Sequence, residues 1–193
     1  EEEDETEEEV EEEEETEEEL VELDEEVEEE AGITPDSPLY GIERAMERIS
    51  LALTFNKAAK AKKGLAHAHE RLAEVQAMIA QKKFDKAAKA QEQYEETVAE
   101  VEENVEELGN GDGEEQLSEA VEIEEAMAKN EEAIKAINAI KLKVSKKLGE
   151  EEQTQLKEML QSMEGINSEF KVKVEQNKNK ARIKIKAAKD ATD

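Results

Sequence analysis

The two histidines, His67 and His69, are the side chains of this sequence best suited to bind a transition-metal ion. They lie two positions apart, so on a helix their side chains point about 200° apart and cannot bind one ion together. The residues one turn further on, Arg71 and Ala73, are not metal ligands. We therefore predict a structural or exposed role for both histidines and no specific metal site.

A second candidate is the segment Asn110-Gly111-Asp112-Gly113-Glu114, which resembles the start of a calcium-binding loop. The twelfth position of such a loop requires a glutamate that binds calcium through both oxygens, and here that position is Val121. We interpret the segment as a flexible connector between helices.

The sequence lacks the combinations of residues that are typical of catalytic sites. The chain has no cysteine, so it has no thiol nucleophile and no disulfide. It contains no glycine-rich phosphate-binding motif, and its Ser, His and Asp residues are too scattered to suggest a triad. Carboxylates are abundant, but acid–base pairs need an enclosed apolar cleft, which these helices offer no residues to build. We predict a non-enzymatic protein without a cofactor, apart from weakly bound Ca²⁺.

The first thirty residues contain 23 acidic side chains and no Lys or Arg, and they supply 23 of the 29 net negative charges. The remaining 163 residues are nearly balanced, with 32 acidic and 26 basic side chains. A polyanionic segment favours cationic partners, namely divalent ions, a basic protein or the basic stretches of this chain itself. The net charge of −29 argues against nucleic-acid binding, which depends on cationic side chains.

The composition predicts an all-α fold. Only 3% of the residues are aromatic, and beyond residue 32 apolar residues recur three and four positions apart. No apolar run approaches the ~20 residues that a membrane-spanning helix needs. We divide the chain into an acidic arm (1–32), an antiparallel three-helix unit (33–109) and a long helical hairpin with a basic C-terminal end (110–193).

Capping residues predict where the helices begin and end, and rows of apolar residues predict which side of each helix is buried. Ser37 and Pro38 are suited to begin the first helix of the three-helix unit, Asn56 to cap the second, and Gly149 to end the first helix of the hairpin in a left-handed conformation. The seam of the first helix is expected to pack along its length against the other helices. It comprises Leu39, Ile42, Met46, Ile49 and Leu53. The five methionines, at 46, 78, 127, 159 and 163, are assigned to the core.

Within residues 36–108, the run Ser37-Pro38-Leu39-Tyr40 is followed by Glu43-Arg44 and Glu47-Arg48, then by Leu51-Ala52-Leu53-Thr54-Phe55 and by Glu70-Arg71-Leu72-Ala73-Glu74. Together they resemble an uncharacterised helical domain-of-unknown-function family of secreted or membrane-anchored bacterial and archaeal proteins. The resemblance implies a helical hairpin or bundle in an extracytoplasmic location, and it implies no catalytic residues. The chain begins at Glu1 and not at Met, as expected of a mature chain after signal-peptide removal or of an excised segment.

From these observations we predict an extracellular or cell-surface interaction protein that assembles head-to-tail. Its acidic arm would dock on the basic end of the last helix, with apolar stripes fixing the contact and charges setting the register. The residues of this predicted interface are Leu20, Leu23, Val27, Phe170, Val174, Lys178, Lys180, Arg182 and Lys184. The alternatives are a low-affinity binder of divalent cations and a periplasmic-type helical chaperone.

Overall fold

The structure is a computed structural model that describes residues 25–110 and 112–191. The fold is all-α, and within these residues there are six α-helices and no strand. The helices are α1 (Glu25–Ala31), α2 (Tyr40–Ala52), α3 (Lys57–Ala80), α4 (Phe84–Glu106), α5 (Gly113–Val144) and α6 (Glu150–Asp190). Short 3-10 helices follow α4 (Glu107–Asn110) and α5 (Ser145–Lys147).

Side-chain caps account for the starts of α3 and α5. Asn56 Oδ1 accepts a hydrogen bond from Ala59 N at 2.7 Å, so the predicted cap of α3 is confirmed. Asp112 Oδ1 accepts from the backbone N–H groups of Glu114 and Glu115 and starts α5. The chain turns from α3 into α4 through Lys82, which adopts a left-handed conformation with φ 56°.

Two predicted helix ends are wrong. Ser37 Oγ accepts from Leu39 N within a turn, and α2 begins at Tyr40, later than Pro38. Gly149 is extended, with φ −68° and ψ 165°, and precedes α6 as its N-cap. The left-handed C-cap predicted for Gly149 is therefore absent, because α5 ends in the 3-10 turn that precedes it.

Helices α3 to α6 form a four-helix bundle around one aliphatic core. α3 lies against α4 and α5, and α6 lies against the same two helices. α3 and α5 run in the same direction, as do α4 and α6, so the connection from α4 to α5 crosses a diagonal of the bundle. Core residues come from both predicted units, including Leu72, Tyr94, Ile137 and Met163. The predicted boundary at residue 110 therefore separates two hairpins that share one core.

Two short helices cover the outside of this bundle. α1 lies along α3, with Val27 and Ala31 packed on the core, and Gly32 ends it with φ 51°. α2 lies over α3 and α4, and its side chains Arg44 and Arg48 reach Gln93 and Glu96 of α4.

The interior packing of the bundle can be tested at two glycines. A methyl group at Gly64 would overlap Val101 Cγ2, whose rotamer is fixed in a helix, whereas nothing lies within 4 Å of a methyl group at Gly165. We expect Gly64→Ala to lower the free energy of unfolding by about 1–3 kcal/mol. The control Gly165→Ala should raise it by about 0.5–1 kcal/mol. Urea denaturation would measure both, and equal effects would contradict the close α3–α4 contact.

Candidate functional site: the inverted helix α2

Helix α2 turns its charged side chains toward the bundle. Glu47 is buried beneath it, and Arg44 is largely covered. Of its apolar residues, only Tyr40 and Leu51 are buried among the large side chains. The usual arrangement of an amphipathic helix on a core is thus reversed.

Arg71 of α3 is the centre of the contact beneath α2, and its side chain is 1% exposed. Its Nη2 donates to Glu47 Oε1 at 2.8 Å, and its Nη1 lies 2.8 Å from Glu74 Oε1. Tyr40 OH accepts from Arg71 Nη1 at 3.2 Å and donates to Glu74 Oε2 at 3.0 Å. We refer to Tyr40, Glu47, Arg71 and Glu74 as the buried charge network. It joins α2 to α3 by hydrogen bonds rather than by apolar contact.

Burial shifts the titration of this network. It raises the pKa of Glu74 to about 8, although Arg71 and the hydrogen bond from Tyr40 act in the opposite direction. Burial and the charge of Glu74 raise the pKa of Tyr40 to about 12. Burial also raises the pKa of Glu43, at the rim of the network. Glu74 therefore keeps its proton to a higher pH in the folded protein than in the unfolded chain.

His67 lies at the edge of the network beside two carboxylates. Its Nδ1 is 3.1 Å from Glu70 Oε2 and 3.9 Å from Glu47 Oε1, so the three side chains have the composition of a metal site. Arg71 Nη2, however, lies 2.8 Å from the same Glu47 oxygen and 3.5 Å from Glu70 Oε2. Because the guanidinium already supplies the positive charge between these carboxylates, we assign the cluster a structural role.

This cluster was not predicted from the sequence. The residues four positions after each histidine are not ligands, whereas the helical partner of His67 is Glu70, three positions on. The third member, Glu47, lies on another helix, and its approach to His67 depends on the fold. His69 binds Glu30 of α1 at 3.1 Å.

The outer side of α2 carries the apolar seam that was predicted to be buried. Its large side chains are between 54% and 88% exposed. We call them the α2 apolar face, which consists of Leu39, Ile42, Met46, Ile49, Leu53 and Phe55. The prediction that this seam packs against the other helices is wrong, because the buried charge network holds the opposite side of α2 on the bundle. Met46 accordingly lies outside the core, which contains Met78, Met127, Met159 and Met163.

The interface predicted between the arm and α6 is only partly available. Phe170 and Val174 are buried in the bundle core and present no free stripe, because α6 uses them to pack on α4 and α5. Val27 is packed on the core where α1 lies along α3. Leu20 and Leu23 lie outside the described residues.

The predicted basic residues of α6 differ in their surroundings. Lys178 is buried, with Nζ 2.7 Å from Glu124 Oε2 and 2.9 Å from Glu175 Oε2. Arg182 donates to Glu175 and Asn179. Lys180 is exposed, and Lys184 lies beside the start of α5. Docking of the acidic arm on Lys180, Arg182 and Lys184 stays a prediction.

The sequence motifs meet in the buried charge network. Tyr40 belongs to the first run, Glu47 to the Glu47-Arg48 pair, and Arg71 and Glu74 to the last run, so the motifs supply all four members of the network. Residues 32–147 match a domain of unknown function, DUF5667. The chain belongs to this family.

The DUF5667 match confirms the resemblance predicted for residues 36–108 and extends it through α5. The matched segment contains α2 and the whole buried charge network, whereas α6 follows it. Comparisons with curated proteins and with solved structures found no similar protein. In the part of the DUF5667 chain that the structure describes, no helix is both long enough and apolar enough to cross a membrane.

Removing Arg71, the central cation of the buried charge network, should destabilise the fold. Arg71→Met would leave Glu74 with only the hydrogen bond from Tyr40 and Glu47 with Arg44 as its remaining cationic partner, and we expect the free energy of unfolding to fall by about 1–3 kcal/mol. The control Lys135→Met removes a pair with Glu131 on the surface and should change stability little. Chemical denaturation would compare them, and a small effect of Arg71→Met would show that the network does not hold α2.

The network should also make stability depend on pH. Because the folded pKa of Glu74 is about 8 and the ordinary value is 4.5, the folded state keeps a proton that the unfolded state releases between these values. The contribution of Glu74 to the free energy of unfolding is therefore full below pH 4.5 and falls as pH rises toward 8. We expect Glu74→Gln to remove this decrease, as measured by denaturation at several pH values. Identical pH profiles for parent and variant would contradict the assignment.

Proposed function

We propose that this protein is a non-enzymatic, extracytoplasmic interaction protein that binds a protein partner through the α2 apolar face. The observation that carries the proposal is the inverted orientation of α2, which buries charges and exposes six large apolar side chains. Leaving such a side chain in water forgoes about 1.5–3 kcal/mol of burial. An exposed set of this size marks an interaction site in a folded protein.

The contrast with the rest of the described surface supports this location. The other large apolar side chains that are exposed there are Val121, Leu142, Val172 and Ile183, and they belong to α5 and α6. They are isolated positions, and isolated apolar residues are ordinary on protein surfaces. Five residues of the α2 apolar face, from Leu39 to Leu53, follow each other at three- and four-residue spacing along α2 and its two ends, and Phe55 lies just beyond them. The extracytoplasmic location is carried over from the family resemblance.

A chaperone is the second candidate, and the same exposed face favours it. An unfolded client offers apolar segments that this face could cover. In this case the parent protein should suppress the aggregation of a reduced, unfolding client, and substitutions on α2 should abolish the suppression. Divalent-cation binding by the acidic arm stays a separate proposal, with many weak sites expected in calorimetry and not one tight site.

The proposed function predicts that the α2 apolar face contributes to binding and not to folding. We expect the double variant Met46→Gln/Ile49→Gln to unfold within about 0.5 kcal/mol of the parent, because neither side chain is buried and glutamine is also a good helix former. Binding of a fluorescent apolar dye should fall in the same variant.

The matched control is Met163→Gln, at a fully buried position of α6. It places an amide in the core and should lower the free energy of unfolding by about 2–5 kcal/mol. If the α2 double variant were destabilised as strongly as this control in dilute solution, the α2 apolar face would be part of the fold and the proposed function would be wrong.

A further inference from the structure

We infer that the partner of the α2 apolar face is the α2 apolar face of a second copy of this chain, in an antiparallel pair with two-fold symmetry. This inference rests on the proposed function and names its partner. It differs from the head-to-tail assembly predicted from the sequence, because a symmetric pair closes at two copies.

The spacing of the face argues for a helix as its occupant. Leu39, Ile42, Met46, Ile49 and Leu53 alternate three and four residues apart, which is the seam of a two-stranded coiled coil. A surface that received a broad sheet or a globular patch would need a wider apolar stripe. A narrow seam is complementary to another narrow seam, and this chain supplies one in every copy.

The area of the face agrees with a dimer interface. Side chains of this size, half to nine-tenths exposed, present roughly 700 Å² of apolar surface together. A standard protein interface buries about 800 Å² on each partner. The α2 apolar face thus approaches the area that a stable dimer buries. The residues at the two ends of α2 would supply the rest of the buried area.

The residues beside the seam allow two copies to approach closely. Gly41, Ala45 and Ala52 are exposed along one side, and nothing lies within 4 Å of the position of a Cβ atom at Gly41. On the other side are Glu43 and Ser50. In an antiparallel seam Ala45 would face Ala52 of the other copy, and Glu43 would face Ser50. These two pairings bring no like charges together, and Arg48, in the same row as Ala45, is paired with Glu96 of its own copy.

The first test is the mass of the full chain as a function of concentration, measured by sedimentation and light scattering. We expect a plateau at two copies of 21.7 kDa. Met46→Glu should weaken the association at least 10-fold, because a carboxylate would be buried in the seam. The control Val172→Glu changes an exposed apolar residue of α6 and should leave the association unchanged.

The second test fixes the direction with engineered cysteines, which the native chain lacks. In the antiparallel seam Ile42 faces Leu53 of the other copy. A mixture of Ile42→Cys and Leu53→Cys chains should therefore form the mixed disulfide under mild oxidation. Leu53→Cys alone should not form one, since its two copies would be ~16 Å apart along the helices, beyond the reach of a disulfide.

The outcomes distinguish failure of the second-copy inference from failure of the proposed function. A mass of one copy at every concentration, with dye binding still lost in Met46→Gln/Ile49→Gln, would overturn the second-copy inference and leave the proposed function standing. A disulfide in Leu53→Cys alone would overturn the antiparallel arrangement. Growth of the mass beyond two copies, abolished by Lys180→Glu/Arg182→Glu, would overturn the inference in favour of the arm and α6.

Discussion

The burial of one guanidinium among carboxylates is the constraint on which the outer part of this structure depends. Arg71 projects from α3 at a position covered by α2, and a charge taken out of water must be paired there. Its partners, Glu47 and Glu74, come from α2 and α3, and Tyr40 OH accepts a further hydrogen bond from its Nη1. Glu47 can reach Arg71 only if the charged side of α2 faces the bundle. The orientation of the apolar side follows from this.

The pattern of the sequence predicted which residues share a side of each helix, but it could not predict which side is buried. For α3 to α6 the apolar side is the buried one, and the predicted core residues Leu72, Val98, Ile137 and Leu160 are in the core. For α2 the same rule failed, because apolar residues three and four positions apart are equally compatible with a seam that stays exposed on the surface. What decided the orientation was a contact between residues 24 positions apart, Glu47 and Arg71, and such a contact has no periodicity.

The motifs indicated the family without indicating their chemistry. Tyr40, Arg71 and Glu74 were prominent in the sequence as parts of two separate runs, whereas the structure brings them within hydrogen-bonding distance of one another. Glu47 belongs to the Glu47-Arg48 pair of the same set, and only the fold shows that it accepts a hydrogen bond from Arg71. On α6, Phe170 and Val174 looked available for the acidic arm because the sequence alone did not show that α6 is the fourth helix of the bundle. The family match ends before α6, although that helix closes the core.

The diagonal connection from α4 to α5 bears on the order in which the bundle forms. Each sequential pair, α3 with α4 and α5 with α6, is an antiparallel hairpin whose contacts are local in the chain, and local contacts close with little loss of chain entropy. The contacts of α3 with α5 and of α4 with α6 join distant segments, so their formation requires the two hairpins to come together. Folding would then proceed through docking of preformed hairpins, with α2 added late, because Arg71 can attract it only from a completed α3.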